Sequence, residues 1–365
     1  MAVAERISLS LHEPLVLSGH TVTIATPIGV AVGGSLSEDA HSLLRNADLA
    51  MYQSKETDPA HPWTLFEEHM YTSFLERRQV ESDLRRALEQ RELVIHYQPV
   101  IHLETGRLSG LEALLRWEHP VRGLVLPGTF ISVAEETGLI VPIGLWILAT
   151  AVRQAREWHV AHPDHDPVGI SVNLSARQLR ESNLAEDISA LLRAEQFEPD
   201  RLTLEITESV LMQDTEVTVA NLSRLREIGV RLAIDDFGTG YSSLGYLQRF
   251  SLDSLKIDQS FVQGVTNEPE KSVVARTIIN LAQVLNLATV AEGIETEEQL
   301  EYLRSLGCQF GQGYLFSHPV PPERLGKLIR QGLLSGAARL PGGGRQFDVA
   351  ASRESTRAST PGPEN

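Results

Sequence analysis

The sequence predicts an α/β protein: a modified (β/α)8 barrel of the TIM type with an antiparallel first strand pair, preceded by a small partial α/β module. Two observations predict this fold. Eight apolar strand candidates follow one another, and most of the later intervals hold amphipathic helical patterns, as parallel βα units require. Only residues 101–107 separate the first two candidates, too few for a parallel crossover of about a dozen residues. We therefore expect the barrel to begin with an antiparallel hairpin.

The strand candidates are short runs rich in apolar and β-branched residues. In chain order they begin at Val94, Leu108, Gly169, Arg201, Arg231, Ser254, Ala288 and Phe310. Helical patterns fill later intervals, for example residues 186–196, 217–229 and 272–286. Their apolar positions recur every three or four residues, which is typical of helices that pack one face on a sheet.

The chain divides into four predicted parts. Residues 1–58 form the partial module, with strands in residues 21–32 and a helix over 38–56, and residues 59–73 form a linker. A further helix is expected from about Leu65 to Arg91, entering the barrel that we assign to residues 74–336. Residues 337–365 are rich in Gly, Ser and Pro and poor in large apolar residues, which predicts a disordered tail.

Composition restricts the classes of function. The 365 residues carry 48 acidic and 32 basic side chains, a formal charge of -16, which disfavours binding to nucleic acid or to anionic membranes. Cys308 is the only cysteine, so no intrachain disulfide can form and a reducing compartment is expected. We recognise neither a signal peptide nor an apolar run of the roughly 20 residues that a membrane span needs. These features predict a cytoplasmic protein.

Polar residues lie at or near the carboxyl ends of the predicted strands. They are Glu112, Asn173, Glu205, Asp235, Asp236, Lys256, Glu292, Glu295 and Gln312. A single carboxylate at a strand end commonly caps the following helix, but six strands that each supply a polar end point to the active-site face of a barrel. Oxygen ligands from several strands suit magnesium or manganese, and adjacent aspartates can share two such ions, as in metal-assisted phosphoester hydrolysis.

Seven motifs occur in one order along residues 75–334: LEALLRW, SVNLS, LEITES, IDDFGTGYSSL, LKID, AEGIE and GQGY. In this order they closely resemble the EAL-type cyclic di-GMP phosphodiesterases. The resemblance implies a barrel with an antiparallel first pair and two magnesium or manganese ions per active site. It also implies that this bacterial second messenger is hydrolysed at one phosphodiester bond to linear pGpG.

The resemblance also implies roles for individual residues. The residues implied to hold one metal are Glu112, Asn173, Glu205 and Asp235, and those implied to hold the second are Asp235 and Asp236. Lys256 is expected to orient or deprotonate the attacking water, and Glu292 to assist it through an ordered water. Arg116 is expected to bind a phosphate oxygen. Gln98 and Gln312 are expected to contact substrate or metal-bound waters. Glu208 and Glu295 are expected to stabilise loops, among them residues 237–244.

Some of these residues have simpler structural explanations. Arg116 could be a surface arginine, and Glu208 could be an ordinary acid in a helix first turn. Thr296 and Gln299 have the spacing of a capping box, so Glu297 and Glu298 are interpreted as structural.

The N-terminal module raises a second functional question. Residues 22–32 and 43–56 resemble the last part of a GGDEF, or diguanylate cyclase, domain, but its metal-binding signature is absent from the sequence. Cyclase activity is therefore not expected. Two classes of function stay open: an active phosphodiesterase, and a catalytically silent EAL module that senses cyclic di-GMP or a protein partner. The complete metal set favours the enzyme, and a nuclease fits poorly with the acidic charge. Family analogy further suggests a homodimer through the barrel.

Overall fold

The structure is a computed structural model that describes residues 2–11, 15–17, 20–22, 26–33, 39–56, 63–163, 167–211, 215–239 and 250–328. Its contacts divide the chain into two compact units. The first comprises residues 1–94 and 116–143, and the second comprises residues 95–115 and 144–365. This division differs from the predicted boundaries at residues 58, 73 and 336, and the domain assignment stays a prediction. The predicted tail, 337–365, lies outside the described residues.

The N-terminal part of the first unit contains three helices and four short strands. They are α1 (Ala2–Leu11), β1 (Leu15–Leu17), β2 (His20–Val22), β3 (Ile28–Val30), α2 (Ala40–Glu56), β4 (Trp63–Leu65) and α3 (Glu68–Gln90). Strands β1 and β2 pair antiparallel, whereas β3 and β4 pair in parallel. The predicted linker, 59–73, thus contains β4 and the start of α3. Residues 57–62, and residues 23–25 of the predicted strands, lie outside the described residues.

The first unit also includes the outer ends of the first barrel hairpin, formed by β5 (Leu93–His102) and β6 (Leu108–His119). It continues through β7 (Gly123–Val125) and α4 (Ile131–Thr137). Buried His119 connects these elements. Its Nε2 lies 3.3 Å from Oδ2 of Asp83 on α3, and its Nδ1 accepts the backbone N–H groups of Val121 and Arg122.

The second unit holds the remaining strands and helices. The strands are β8 (Gly169–Asn173), β9 (Leu202–Thr207), β10 (Arg231–Phe237), β11 (Ser254–Ile257), β12 (Ala288–Ala291) and β13 (Phe310–Gly311). The helices are α5 (Ile140–Ala161, with its first turn in the first unit), α6 (Ala176–Leu179), α7 (Leu184–Ala194), α8 (Glu208–Leu211), α9 (Glu216–Ile228), α10 (Gln259–Gln263), α11 (Pro269–Val284), α12 (Glu297–Ser305) and α13 (Pro322–Leu328).

Eight of the strands close into the predicted barrel. Their order is β5, β13, β12, β11, β10, β9, β8 and β6, and β6 pairs back with β5. The neighbours from β6 round to β13 are parallel, whereas β5 is antiparallel to β13. Strand β5 must therefore also run opposite to β6. This confirms the predicted α/β barrel and its antiparallel first pair.

The burial of the central strands explains why apolar runs form them. In β10 the residues from Leu232 to Asp235 are all buried, as expected for a parallel strand covered on both faces. Helix starts follow local signals: α11 begins with Pro269, and Thr296 caps α12 in the predicted capping box with Gln299.

Among the described helices, none alone is long and apolar enough to cross a membrane. Helices α4 and α5 reach that length and composition only when they are taken together, and they are bent at the break between them.

Candidate active site

The predicted strand-end residues gather at one end of the barrel. Glu112 lies on β6, Asn173 ends β8, Glu205 lies on β9, Asp235 and Asp236 lie near the end of β10, Lys256 lies on β11, and Glu292 and Gln312 directly follow β12 and β13. All of them belong to the second compact unit. The carboxyl ends of parallel barrel strands meet at one face, which explains how residues so far apart in sequence come together.

Lys256 lies at the centre of this group. Its Nζ lies 2.6 Å from Glu205 Oε2 and 2.7 Å from Glu292 Oε1. It is also 3.0 Å from Asp235 Oδ1 and 3.5 Å from Glu112 Oε2. The side chain of Lys256 is only 3% exposed, so a single ammonium group sits in a buried ring of four carboxyl groups. This ring is called the Lys256 cluster below.

Two amides hold Glu112 in the cluster. Asn173 Nδ2 donates to Glu112 Oε1 at 2.9 Å, and Gln312 Nε2 donates to Glu112 Oε2 at 2.6 Å. Gln312 Nε2 also lies 3.1 Å from Glu292 Oε1, so one amide joins the ends of two strands. The other amide atom, Gln312 Oε1, is buried without a hydrogen-bond partner among the described residues.

A bulge brings the adjacent aspartates to the same site. Neighbouring side chains of a regular strand point to opposite faces, but the pairing of β10 with β11 shifts register between Ile234 and Phe237. Asp236 there has a left-handed backbone, with φ of 54°, which is uncommon outside glycine but tolerated by aspartate. As a result, one carboxylate oxygen from each of Asp235, Asp236 and Glu292 lies within 4.8 Å of the other two.

Burial and crowding shift the pKa of several cluster groups. Burial, followed by Asp235 and Glu112, raises the pKa of Glu292 to about 8. Burial, followed by Glu112 and Asp235, also raises the pKa of Glu205 well above its usual value. Burial alone would lower the pKa of Lys256, but the four surrounding carboxyl groups raise it well above its ordinary value, so the amine stays charged.

Two other carboxyl groups respond in opposite directions. Burial would raise the pKa of Glu112, but Lys256 and the Gln312 and Asn173 hydrogen bonds hold it below its usual value. The pKa of Asp236 is raised to about 6, first by burial and then by Asp235 and Asp258. The raised pKa values have a simple cause: if all these carboxyl groups were ionised, the site would carry more negative charge than a single lysine can balance.

The donor set fits divalent metal ions. It consists of carboxylate and amide oxygens, the ligands that magnesium and manganese prefer, and it has no sulfur or imidazole donor among the cluster residues. The unpartnered Gln312 Oε1 and the excess negative charge are two further features that bound cations and their waters would satisfy.

Other predicted residues lie outside this cluster. Gln98 is buried and donates from Nε2 to Ser317 O at 3.1 Å. Arg116 lies half-buried on β6, four residues beyond Glu112, in the first compact unit. Glu295 is exposed, and its backbone N–H donates to Gln299 Oε1 at 2.8 Å. The described contacts therefore give Glu295 no side-chain role in the cluster.

Glu208 lies in the first turn of α8, and its Oε2 accepts the backbone N–H of Gly238 at 3.4 Å. This contact involves the start of the predicted loop 237–244, of which residues 240–244, including Gly240, lie outside the described residues. Glu208 therefore fits both interpretations, because it is a first-turn acid of α8 and also contacts the start of the loop.

The sequence reasoning missed two residues near the site. Asp258 N-caps α10 by accepting Ser260 N at 2.9 Å, and it contributes to the raised pKa of Asp236. Gln178 forms a capping box with Ser175, two residues after Asn173. For Asp258 the available signal was an Asp directly before a helix, and for Gln178 it was the Ser-x-x-Gln spacing of a capping box.

The chain is similar to known proteins over the barrel and part of the N-terminal region. Residues 81–319 match the model of the EAL domain. The curated relatives include the bifunctional diguanylate cyclase/cyclic di-GMP phosphodiesterase MucR of Pseudomonas aeruginosa, 42% identical over 323 residues, covering 88% of this chain and 47% of the relative. They also include the cyclic di-GMP phosphodiesterase NbdA of the same organism, 39% identical over 328 residues, covering 90% of this chain and 42% of the relative.

The chain is also similar to solved structures. The PaMucR phosphodiesterase in complex with c-di-GMP superposes with a TM-score of 0.65 at 46% identity, covering 68% of this chain and 99% of that chain. The chain spans about half the length of the curated relatives it matches.

Proposed function

The chain belongs to the EAL domain family, and we propose that it is a cyclic di-GMP phosphodiesterase that hydrolyses one phosphodiester bond to give linear pGpG. The observation that supports this most directly is the Lys256 cluster, in which a buried ammonium group and oxygen donors from several strand ends meet. Relatives named as cyclic di-GMP phosphodiesterases, and a related phosphodiesterase solved with c-di-GMP, give the same substrate class.

Two divalent cations, magnesium or manganese, would complete the site. Residues that would hold the first are Glu112, Asn173, Glu205 and Asp235, and residues that would hold the second are Asp235 and Asp236. When bound, such cations supply Lewis acidity and neutralise the charge that develops on the phosphoester oxygens. The oxygens of Glu292 lie near those of Asp235 and Asp236, which supports a role for Glu292 beside the second cation.

The chain's own side chains would then orient the reactants. Lys256 would orient the attacking water, since it is the cationic centre of the cluster. It could accept the proton of that water only after losing its own, which bound cations beside it would favour. Asn173 and Gln312 hold Glu112 in place by donating to its two oxygens. These contacts fix the donor oxygens before substrate arrives, which lowers the reorganisation needed in the transition state.

Further roles follow for residues beside the cluster. Arg116 would contact a phosphate oxygen, because a guanidinium group matches phosphate geometry. Gln98 would contact substrate, and Glu208 would steady the loop that begins at Gly238. Glu295, which is exposed, is the least supported of the assigned residues, and its replacement should change activity little.

The direct test uses the purified full chain. It is incubated with cyclic di-GMP and Mg²⁺ or Mn²⁺, and pGpG is followed by chromatography. Release of pGpG supports the enzyme. Binding of cyclic di-GMP without pGpG would instead support the silent sensor, and failure of both would refute a cyclic di-GMP function.

We also propose that the N-terminal module is a remnant of a GGDEF domain. The MucR alignment covers 88% of this chain, more than residues 81–365 can supply, so it includes part of the N-terminal region. That relative is named as a diguanylate cyclase as well. Because the cyclase signature is absent from this sequence, incubation with GTP and Mg²⁺ should yield no cyclic di-GMP, and its formation would contradict this assignment.

Assembly and location are the remaining proposals. A homodimer through the barrel is expected from the family, and light scattering coupled to size-exclusion chromatography would measure it. A cytoplasmic location stays a prediction from the sequence, which cell fractionation would check.

A further inference from the structure

The chain leaves β13 through a tightly held turn, residues 312–318. At Gly313 the backbone packs directly on Ile294, because a Cβ there would lie 2.2 Å from the Ile294 carbonyl oxygen. Leu315 N donates to that same oxygen at 3.0 Å, and the N–H groups of Phe316 and Ser317 both donate to Gly313 O at 3.1 Å. The turn therefore has a fixed backbone rather than a loose one.

Two aromatic rings stack on this turn in an exposed position. The rings of Tyr314 and His318 have centroids 3.9 Å apart and planes inclined by 28°. Tyr314 is nevertheless 56% exposed. A large aromatic side chain in water contributes little to folding, and this exposure leaves part of the Tyr314 ring accessible to a flat ligand.

The turn connects two residues assigned to the site. At its start, Gln312 bonds to Glu112 and Glu292 in the Lys256 cluster. Near its end, the carbonyl oxygen of Ser317 accepts Gln98 Nε2. Tyr314 is two residues beyond Gln312, so their Cα atoms are at most about 7 Å apart. The backbone that carries the stacked pair therefore begins at a residue of the cluster.

The substrate chemistry supplies what such a pair could bind. With the scissile phosphate at the cluster, the guanine bases of cyclic di-GMP must extend away from it toward the rim. Every base has a flat π-face that stacks on aromatic side chains. A ring already held by a neighbour and by a rigid turn loses little conformational freedom on binding.

Resting on the proposed function, we propose that Tyr314, backed by His318, is a stacking platform for one guanine base of cyclic di-GMP. Tyr314 would then determine substrate affinity without taking part in the chemical step. Cyclic dinucleotides are bound partly through this ring, whereas the Lys256 cluster acts on the phosphate.

The test compares the full chain with three variants: Tyr314→Ala, Tyr314→Phe and, as a matched exposed tyrosine on α2 in the other compact unit, Tyr52→Ala. KM and kcat for cyclic di-GMP are measured with Mn²⁺. In parallel, the fluorescence of a cyclic dinucleotide with 2-aminopurine in place of one guanine is recorded with Ca²⁺, because stacking on an aromatic ring quenches it. Thermal unfolding confirms that each variant is folded.

Tyr314→Ala should raise KM about tenfold, the loss expected for one base–aromatic stack, with kcat within about twofold of the parent. It should also lose the ring-dependent quenching. Tyr314→Phe, which keeps the ring, and Tyr52→Ala should retain both properties.

The inference is overturned if Tyr314→Ala keeps the parent KM and quenching, or if it lowers kcat without raising KM, as a purely structural residue would. A parent chain that neither binds nor hydrolyses cyclic di-GMP would instead refute the proposed function. The two failures are therefore distinguishable.

Discussion

Replacing Gly144 by Ala tests how α5 supports the loop after β8. A helix-interior Gly→Ala change normally stabilises a protein by roughly 0.5–1 kcal/mol. At Gly144, however, the new Cβ would lie 1.9 Å from Gln178 Nε2 and 2.5 Å from its amide carbon. Gln178 is 2% exposed, so its amide has little room to move aside.

The expected cost follows from what Gln178 does. Its Oε1 accepts Ser175 N and its own N–H donates to Ser175 Oγ, which together form the capping box of α6. Losing a cap costs about 1 kcal/mol, and crowding a packed site costs about 1–3 kcal/mol. After the helix gain of up to about 1 kcal/mol is subtracted, Gly144→Ala should lower the free energy of unfolding by about 1–3 kcal/mol.

Activity should fall as well. Ser175 is two residues beyond Asn173, which donates to Glu112 in the Lys256 cluster. A shift of this loop should weaken metal binding, and loss of a supporting contact typically costs about 10–100-fold in metal affinity or activity. The assays are urea unfolding and pGpG release as a function of Mn²⁺ concentration.

The controls separate crowding from any general effect of alanine. Gly128→Ala places its Cβ where no atom lies within 4 Å, so stability should change by less than about 0.5 kcal/mol. Gln178→Ala removes the group that is crowded, so the double variant with Gly144→Ala should be more stable than the sum of the single changes predicts. A stabilised Gly144→Ala protein, or strict additivity in the double variant, would refute the reasoning.

Four further predictions follow. Replacing Lys256 by Ala should lower turnover by roughly a hundredfold or more while cyclic di-GMP still binds; lost affinity with unchanged turnover of bound substrate would make Lys256 a phosphate clamp. Asp235→Asn should abolish pGpG release whereas Glu297→Gln, in the first turn of α12, should not; similar losses in both would misplace the metal site. Because all assigned ligands are oxygens, Mg²⁺ or Mn²⁺ should support turnover and Ca²⁺ should inhibit it; turnover in excess chelator would contradict the two-metal interpretation. Asp83 has a lowered pKa, owing first to its hydrogen bond from Gln79, so it stabilises the fold above the unfolded pKa of about 3.9. Asp83→Asn should therefore destabilise by about 1–3 kcal/mol at pH 7, and urea unfolding should show this difference shrinking as the pH falls below about 4; a constant difference would be evidence against the charge effect.

Much of the barrel could be predicted because its signals are local. Runs of seven to ten residues rich in apolar side chains indicated the strands, and the short interval 101–107 indicated the direction of the first pair. The capping box of Thr296 and Gln299 was likewise readable, since it involves residues three apart. The boundaries were predicted less well: β13 spans only Phe310 and Gly311, whereas the strand pattern in the sequence runs from Phe310 to Phe316.

For the candidate site, the sequence determined which residue types stand at the strand ends, because parallel strands in a barrel must deliver them to one face. Only the tertiary structure decided how they meet. The bulge that turns Asp235 and Asp236 to one site depends on the pairing of β10 with β11, and strand periodicity alone would have separated them. Lys256 lies at the centre of the cluster, and Gln312 joins Glu112 to Glu292, through contacts between residues up to 200 positions apart in the sequence. No local pattern encodes such distances, because they follow from closing the barrel.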